Sequence, residues 1–419
     1  MRVPLPVAAA RHARGAACRH GRRGGGAARP APGNRRLVAV VRVDRIARDR
    51  RDRHTRRPWR RRPDGAPEHH VTDFAAARSI LDDGLRDGTF AAAAVEVGRS
   101  TGSIWRAAFG RAGVAEDAPP TSADTVFDLA SLTKVIATTT LAMRAVDQGR
   151  LDLDAPLGGR LAYWRGEDRA SVTAADLLAH ASGLTAHLPF YRDHRGREEF
   201  EPAIAGLPLE YPPRTASIYS DLGFILLGFL LEDVFDAGLD AAFQAVSQQH
   251  EWGELGYRPP HTWRDRTAPT EFDPWRGRLL VGQVHDENAW ALGGVAGHAG
   301  LFGTTEAVGR FARTVAAGFQ GRPTVAEAAT FDRFVTRTRV PGSSRALGWD
   351  TMLPTSSCGR RMSARAVGHT GFTGTSLWID PEADVYVVLL TNRVYPTRTN
   401  EQILALRPAL HDAIMDALR

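Results

Sequence analysis

The sequence predicts an α+β fold: an antiparallel sheet flanked by helices and built from both ends of the chain, with an inserted, mostly helical lobe. Three observations lead there. A helix and two β-like runs open the body, two further β-like runs and a helix close it, and the stretch between shows helical segments joined by Pro- and Gly-containing loops. At the front, residues 73–85 have the spacing of an amphipathic helix, and residues 92–97 and 103–109 read as the strands of a hairpin. At the back, the turn-rich Asp380-Pro381-Glu382-Ala383-Asp384 joins strand-like residues 376–379 and 385–390, and residues 402–418 form a closing helix. The expected division places 71–150 and 301–419 in an α/β lobe and 151–300 in the helical lobe, with a cleft between them.

Charge is distributed unevenly along the 419 residues. Residues 1–70 hold 20 Arg against 4 Asp and 1 Glu, a formal +15, which leaves −8 for residues 71–419 out of the total of +7. The Arg-, Gly- and Pro-rich leader has no hydrophobic period and is expected to be a disordered, solvated extension; Trp59 is the only aromatic residue there that could stack on a base. The acidic body has no electrostatic claim on nucleic acid. Two cysteines, Cys18 and Cys358, make neither a disulfide framework nor a metal-site spacing. No run approaches the roughly 20 apolar residues of a membrane span. Residues 3–10, interrupted by Pro4 and Pro6, make a poor secretory segment, so a soluble, cytoplasmic protein is the expectation.

The chemistry starts at Ser131-Leu132-Thr133-Lys134. The stretch that follows, as far as Gln148, has helical spacing through Val135, Ile136, Leu141 and Val146, with Gly149 as its stop. Residues three apart share a helical face, so the Lys134 amine reaches the Ser131 hydroxyl, while the helix N-terminus offers N–H groups to a developing anion. To accept a proton near neutrality, Lys134 must have its pKa lowered from about 10.4, which burial and the helix terminus are expected to do. A Ser-x-x-Lys tetrapeptide is weak evidence alone. Here Lys134 is the only lysine, every other member of the 54 Lys+Arg being arginine, and a guanidinium cannot be deprotonated to act as a base.

With this motif the chain resembles the serine β-lactamases and penicillin-binding proteins, in particular the class C branch, over residues 72–419. The resemblance implies a β-lactamase-like fold and two further cleft motifs. Tyr219-Ser220-Asp221 stands where the family has Tyr-x-Asn; Tyr219 would shuttle the proton with Lys134, its phenol ionising more easily beside an ammonium, and Asp221 would join the substrate-binding set. His369-Thr370-Gly371 stands where the family has Lys-Thr-Gly, with the glycine admitting substrate backbone, and Phe372 would give the second oxyanion N–H. His369 replaces a permanent cation with a titratable one, which favours esters over β-lactams. Residues 177–184 and 293–302 resemble the same branch, and His180 and His298 within them read as structural.

Other catalytic classes leave no trace. There is no His-Glu-x-x-His and no phosphate-cradling glycine loop, and the run His285-Asp286-Glu287-Asn288 does not converge on one ion, so neither cofactor nor metal is expected. The function implied is a serine hydrolase working through an acyl-enzyme on a small ester, D-amino-acid peptide or β-lactam, with esterase-like activity favoured. The alternatives are a cell-wall D-peptidase and a non-catalytic penicillin-binding-type sensor on the same fold.

Overall fold

A computed structural model describes residues 72–113, 117–322 and 324–419. The Arg-rich leader therefore lies outside the described residues. The first ordered helix, α1 (Ala75–Arg86), is tied at its start by the Asp73 carboxylate, which accepts from Ala75 N at 2.8 Å. It leads into the hairpin β1 (Ala92–Arg99) and β2 (Gly102–Gly110). The closing part of the chain contributes β3 (Asp350–Thr351), β4 (Val367–Thr370), β5 (Ser376–Asp380) and β6 (Val385–Thr391). All pairings are antiparallel and the order is β2-β1-β6-β5-β4-β3. The two ends of the described chain meet at the centre of the sheet, where β1 pairs with β6 from Ala93 opposite Thr391 to Gly98 opposite Tyr386.

Period-2 alternation sorts the central strands into two faces. Ala93, Val95 and Val97 of β1, with Val385, Val387 and Leu389 of β6, pack in a core with Leu81 of α1 and Leu410 and Ile414 of the closing helix (Ile403–Ala417). Ala92 and Ala94, with Tyr386, Val388 and Leu390, face the larger core, joined by Val308, Phe311 and Val315 of the helix Thr305–Phe319. Glu96 breaks this pattern as a buried carboxylate among apolar neighbours. It is held by Arg106 Nε at 2.7 Å, Arg313 Nη1 at 2.9 Å and the Tyr386 hydroxyl at 2.6 Å, which together offset its desolvation. Gly309 lets the helix approach the sheet here, since a Cβ at that position would collide with the Glu96 carboxylate.

Between residues 151 and 300 the regular elements are mostly helices, separated by long irregular segments. The site-bearing helix continues as α2 (Thr140–Asp147), and α3 (Asp221–Phe235) lies against both it and the preceding turn. Eleven of the fifteen residues of α3 are buried, so it is apolar on nearly all sides and forms the centre of the larger core. A short three-stranded piece made by Phe127–Asp128, Leu301–Gly303 and Leu255–Tyr257 ties the chain before Ser131 to the segment after the glycine-rich loop. Among the described residues no helix is long and apolar enough to cross a membrane.

Candidate active site

Ser131 lies just past a forced turn. Ala130 takes φ +47°, a left-handed conformation that alanine adopts only when its surroundings impose it. The buried Asp128 carboxylate imposes it here, accepting from Ala130 N at 2.8 Å and His285 N at 2.7 Å. The chain then turns into a helix through Leu132 N to Leu129 O, Thr133 N to Ala130 O and Lys134 N to Ser131 O, at 3.0–3.1 Å. Lys134–Thr139 is π-helical, not α-helical as the spacing predicts. Thr138, on this segment, donates its hydroxyl to Gly297 O at 2.6 Å, a tertiary contact that local periodicity does not encode.

Lys134 is completely buried, and its amine donates to Ser131 Oγ at 3.1 Å, Asp221 Oδ1 at 2.7 Å and His298 O at 3.1 Å. The ammonium also sits 4.8 Å from the centre of the Tyr219 ring, close enough for its charge to act on the Tyr219 phenol. Tyr219 and Asp221 are delivered by the start of α3, where Ser220 caps the helix by accepting from Gly223 N at 3.2 Å. His180 supports that cap: its Nδ1 accepts from Ser220 N at 3.0 Å, and its ring packs 4.6 Å from Tyr219 and 5.0 Å from Phe224. His298 bonds Asp286 Oδ1 through Nε2 at 2.8 Å. The two histidines thus occupy the supporting places expected of them.

The opposite wall is the turn after β4. Gly371 N donates to Thr375 O at 2.8 Å and Gly374 N to Gly371 O at 3.0 Å. Two threonine hydroxyls fasten this turn to the chain entering Ser131, Thr373 Oγ1 to Asp128 O at 2.8 Å and Thr375 Oγ1 to Leu129 O at 3.0 Å. From behind, the buried Arg407 donates to Gly371 O and Thr375 O at 2.8 and 2.9 Å. Ser131 and Phe372 are in this way held on one rigid frame. The missing side chain of Gly371 makes room for the Leu129 carbonyl and the Thr375 hydroxyl, so the glycine also serves the protein's own packing.

Electrostatics correct three sequence expectations and add a role for Asp221. Burial works against the Lys134 ammonium, but Asp221 and Tyr219 outweigh it, and the amine pKa lies above its ordinary value instead of below. Burial likewise pushes the Tyr219 phenol up, against the pull of Lys134, so it ionises less easily than free tyrosine. His369 is buried beside Arg345 and Lys134 and is held well below the usual imidazole range; it is neutral, and Nδ1 donates to Thr370 O at 2.8 Å. Asp221, counted among substrate-binding residues, is first of all the counter-ion of Lys134, which holds its carboxyl far below the usual range against a large burial penalty.

A cleft of about 630 Å³ brings these groups together; Ser131, His187, Tyr219, Asp221, Arg345 and Phe372 are among its lining residues, as are His369, Thr370 and Gly371. Sequence reasoning missed Arg345 and His187, which stand in no recognisable spacing. The Arg345 guanidinium lies 5.3 Å from the Tyr219 ring centre and pairs with no carboxylate among the described residues. Among those residues no three His, Cys, Asp or Glu side chains are placed to hold a metal ion.

One rim of the cleft is a charge network. Glu271 is bonded by His285 Nε2 at 2.8 Å and Arg398 Nε at 2.7 Å, and Arg398 also reaches Glu287 at 2.8 Å. Burial opposes the Glu271 carboxylate, yet these donors outweigh it and hold its pKa down at about 2. A depressed carboxylate contributes stability that is present above its unfolded pKa and lost as pH falls through the folded one. Acid unfolding should therefore steepen from about pH 4.5 towards 2, and Glu271→Gln should flatten that part of the stability curve while lowering stability at pH 7. Denaturant titrations of both proteins at a series of pH values check this; parallel curves would refute it.

A cleft in which a serine opens a helix, a buried lysine sits three residues on and a tyrosine closes the triangle, between an antiparallel sheet and a helical layer, defines a serine hydrolase. The beta-lactamase family profile matches residues 77–410, and the chain belongs to that family. A "Putative D-alanyl-D-alanine carboxypeptidase" of Salmonella gallinarum is 29% identical, covering 67% of this chain and 72% of the relative. Among solved structures, a class C beta-lactamase of Rhodobacter sphaeroides superposes with a TM-score of 0.65 at 20% identity, covering 82% of this chain and 99% of that one. EstCE1, a hydrolase with promiscuous acyltransferase activity, gives 0.64 at 22% identity, covering 80% and 97%.

Proposed function

We propose that the protein hydrolyses small acyl substrates through an acyl-enzyme on Ser131, with Lys134 and Tyr219 handling the proton and Arg345 selecting substrates that carry a carboxylate. The observation that carries the reading is the buried Lys134 amine 3.1 Å from a cleft-facing serine hydroxyl. Ser131 Oγ attacks the carbonyl carbon as its proton leaves, the oxyanion forms between the backbone N–H groups of Ser131 and Phe372, and the leaving group departs with the proton returned to it. Water then releases the acyl group along the reverse proton path.

Arg345 revises the ranking of substrates. Preference for simple esters rested on the permanent cation lost at His369, and a permanent cation is present in the same cleft, 5.3 Å from Tyr219. A guanidinium that lines the same cleft as the nucleophile and has no carboxylate partner among the described residues suits a carboxylate, which it can bind with two parallel hydrogen bonds. That favours a peptide ending in a free carboxylate, the substrate class in the name of the Salmonella relative, or a β-lactam, over a neutral ester.

The test uses paired nitrophenyl esters or depsipeptides with and without a carboxylate on the leaving side. Arg345→Gln should change the ratio of kcat/KM between the two by roughly 10–100-fold, the worth of a charge-assisted hydrogen bond. An unchanged ratio would remove Arg345 from substrate selection.

A further inference from the structure

The resting geometry poses a problem for the proton step. Lys134 is an ammonium paired with the half-buried Asp221 carboxylate at 2.7 Å, and Tyr219 is a neutral phenol, so neither is ready to take the Ser131 proton. The Asp221 carboxylate, however, has two faces. Oδ1 meets Lys134, and Oδ2 meets His187 Nδ1 at 3.6 Å. His187 belongs to the loop after Gly183, lines the cleft and leaves 45% of its side chain exposed. This pairing depends on Asp221 being a carboxylate; an amide at that position would carry no charge to attract an imidazolium.

We propose that His187 is the acceptor for the proton Lys134 must release before it can act as a base, with Asp221 as the bridge between them. The inference rests on the reading of Ser131 as nucleophile and deepens it. An Nζ–H bond of Lys134 breaks as an O–H bond forms on Asp221; the neutral carboxyl then turns about Cβ–Cγ and gives that proton to His187 Nδ1. Lys134⁺/Asp221⁻/His187 becomes Lys134/Asp221⁻/His187⁺, with no change of net charge and no outside reactant. The neutral carboxyl is a high-energy transient, since Lys134 favours the carboxylate, and a Lys–Asp ion pair is exchanged for an Asp–His ion pair, so the half-buried carboxylate is compensated before and after the transfer. Neutral Lys134 then takes the Ser131 proton as the C–O bond forms and delivers it to the leaving group. His187 touches neither Ser131 nor the scissile carbonyl, so it is a positioning residue for the proton.

The surroundings favour this use. His187 faces Asp221 from α3 and Asp286 and Glu287 from the next wall, and the Asp221 contact, ahead of these two and against burial, raises its pKa above that of free imidazole. Asp221 in turn faces Lys134, Tyr219 and His298. The His298 ring is bonded to Asp286 through Nε2 and makes no hydrogen bond or ion pair with Asp221, whose imidazole contact is His187. The competent form has His187 neutral, so acylation should rise with pH through a limb lying above the free-imidazole value near 6.5.

The experiment is stopped-flow acylation of the full chain by a nitrophenyl ester from pH 5 to 9, for wild type, His187→Gln, Asp221→Asn and the double variant. His187→Gln should acylate roughly 10–100-fold more slowly at pH 7 and lose the limb above 6.5, because the remaining path must release the lysine proton to water. His187→Ala should regain rate on addition of imidazole. With Asp221→Asn the bridge is gone, so adding His187→Gln to it should change neither rate nor profile. An intact limb in His187→Gln, with or without a slower rate, overturns the proposal, as does failure of imidazole rescue. Wild type that forms no acyl-enzyme at all would instead overturn the Ser131 reading on which it rests.

Discussion

Lys134→Arg lowers the acylation rate by roughly 10²–10⁴-fold at neutral pH, the range that general-base catalysis contributes. A guanidinium keeps the charge that compensates Asp221 and the hydrogen bonds to Ser131 and His298 O, but it cannot give up its proton. The site is completely buried, so the larger head overpacks it at a cost of about 1–3 kcal/mol, visible as a lowered Tm. A second variant separates chemistry from folding. Lys134→Met alone strands the Asp221 carboxylate and costs about 3–5 kcal/mol, whereas Lys134→Met with Asp221→Asn removes both charges and recovers most of that loss while remaining inactive. Time-resolved mass spectrometry of the acyl-enzyme, with thermal unfolding alongside, reads all four proteins. A folded Lys134→Arg protein acylating at the wild-type rate would mean that the lysine supplies only charge.

Ser131→Ala abolishes the covalent intermediate. The substitution removes one acceptor from a lysine that keeps two others, so it costs stability only about 1 kcal/mol. The protein stays folded, and its mass does not increase on incubation with a slow ester or a penicillin, where wild type gains one acyl group. Ser131→Cys restores a nucleophile at the same place and should regain part of the labelling. An acyl group found on Ser131→Ala at any other side chain would move the nucleophile elsewhere.

The outer architecture was legible because it follows local periodicity. The 73–85 helix, the 92–97 and 103–109 hairpin, the paired strands near the end and the closing helix all lie within a few residues of their observed limits. Strands Asp350–Thr351 and Phe127–Asp128 gave no such signal, being two residues long and defined only by their partners. The pairing of Ser131 with Lys134 was legible for a different reason, since the two are one helical turn apart and the chain spends its single lysine there.

Protonation was not legible. Whether Lys134 is an ammonium depends on Asp221, 87 positions away in the chain; whether His369 is charged depends on burial and on Arg345. The residue types in the motifs therefore suggested a lowered lysine, an acidified phenol and a titratable histidine, and the packed cleft reverses each of them.

The sequence by itself determined the fold class, the helix that joins Ser131 to Lys134 and the motifs that mark the family, because each is written in spacing along a few neighbouring residues. Only the tertiary structure decided which groups carry charge, that Arg345 lines the same cleft as Ser131 and Tyr219 and that His187 meets the far side of Asp221. Those facts depend on distances of a few ångströms between residues remote in sequence, and on how much water the fold removes around them.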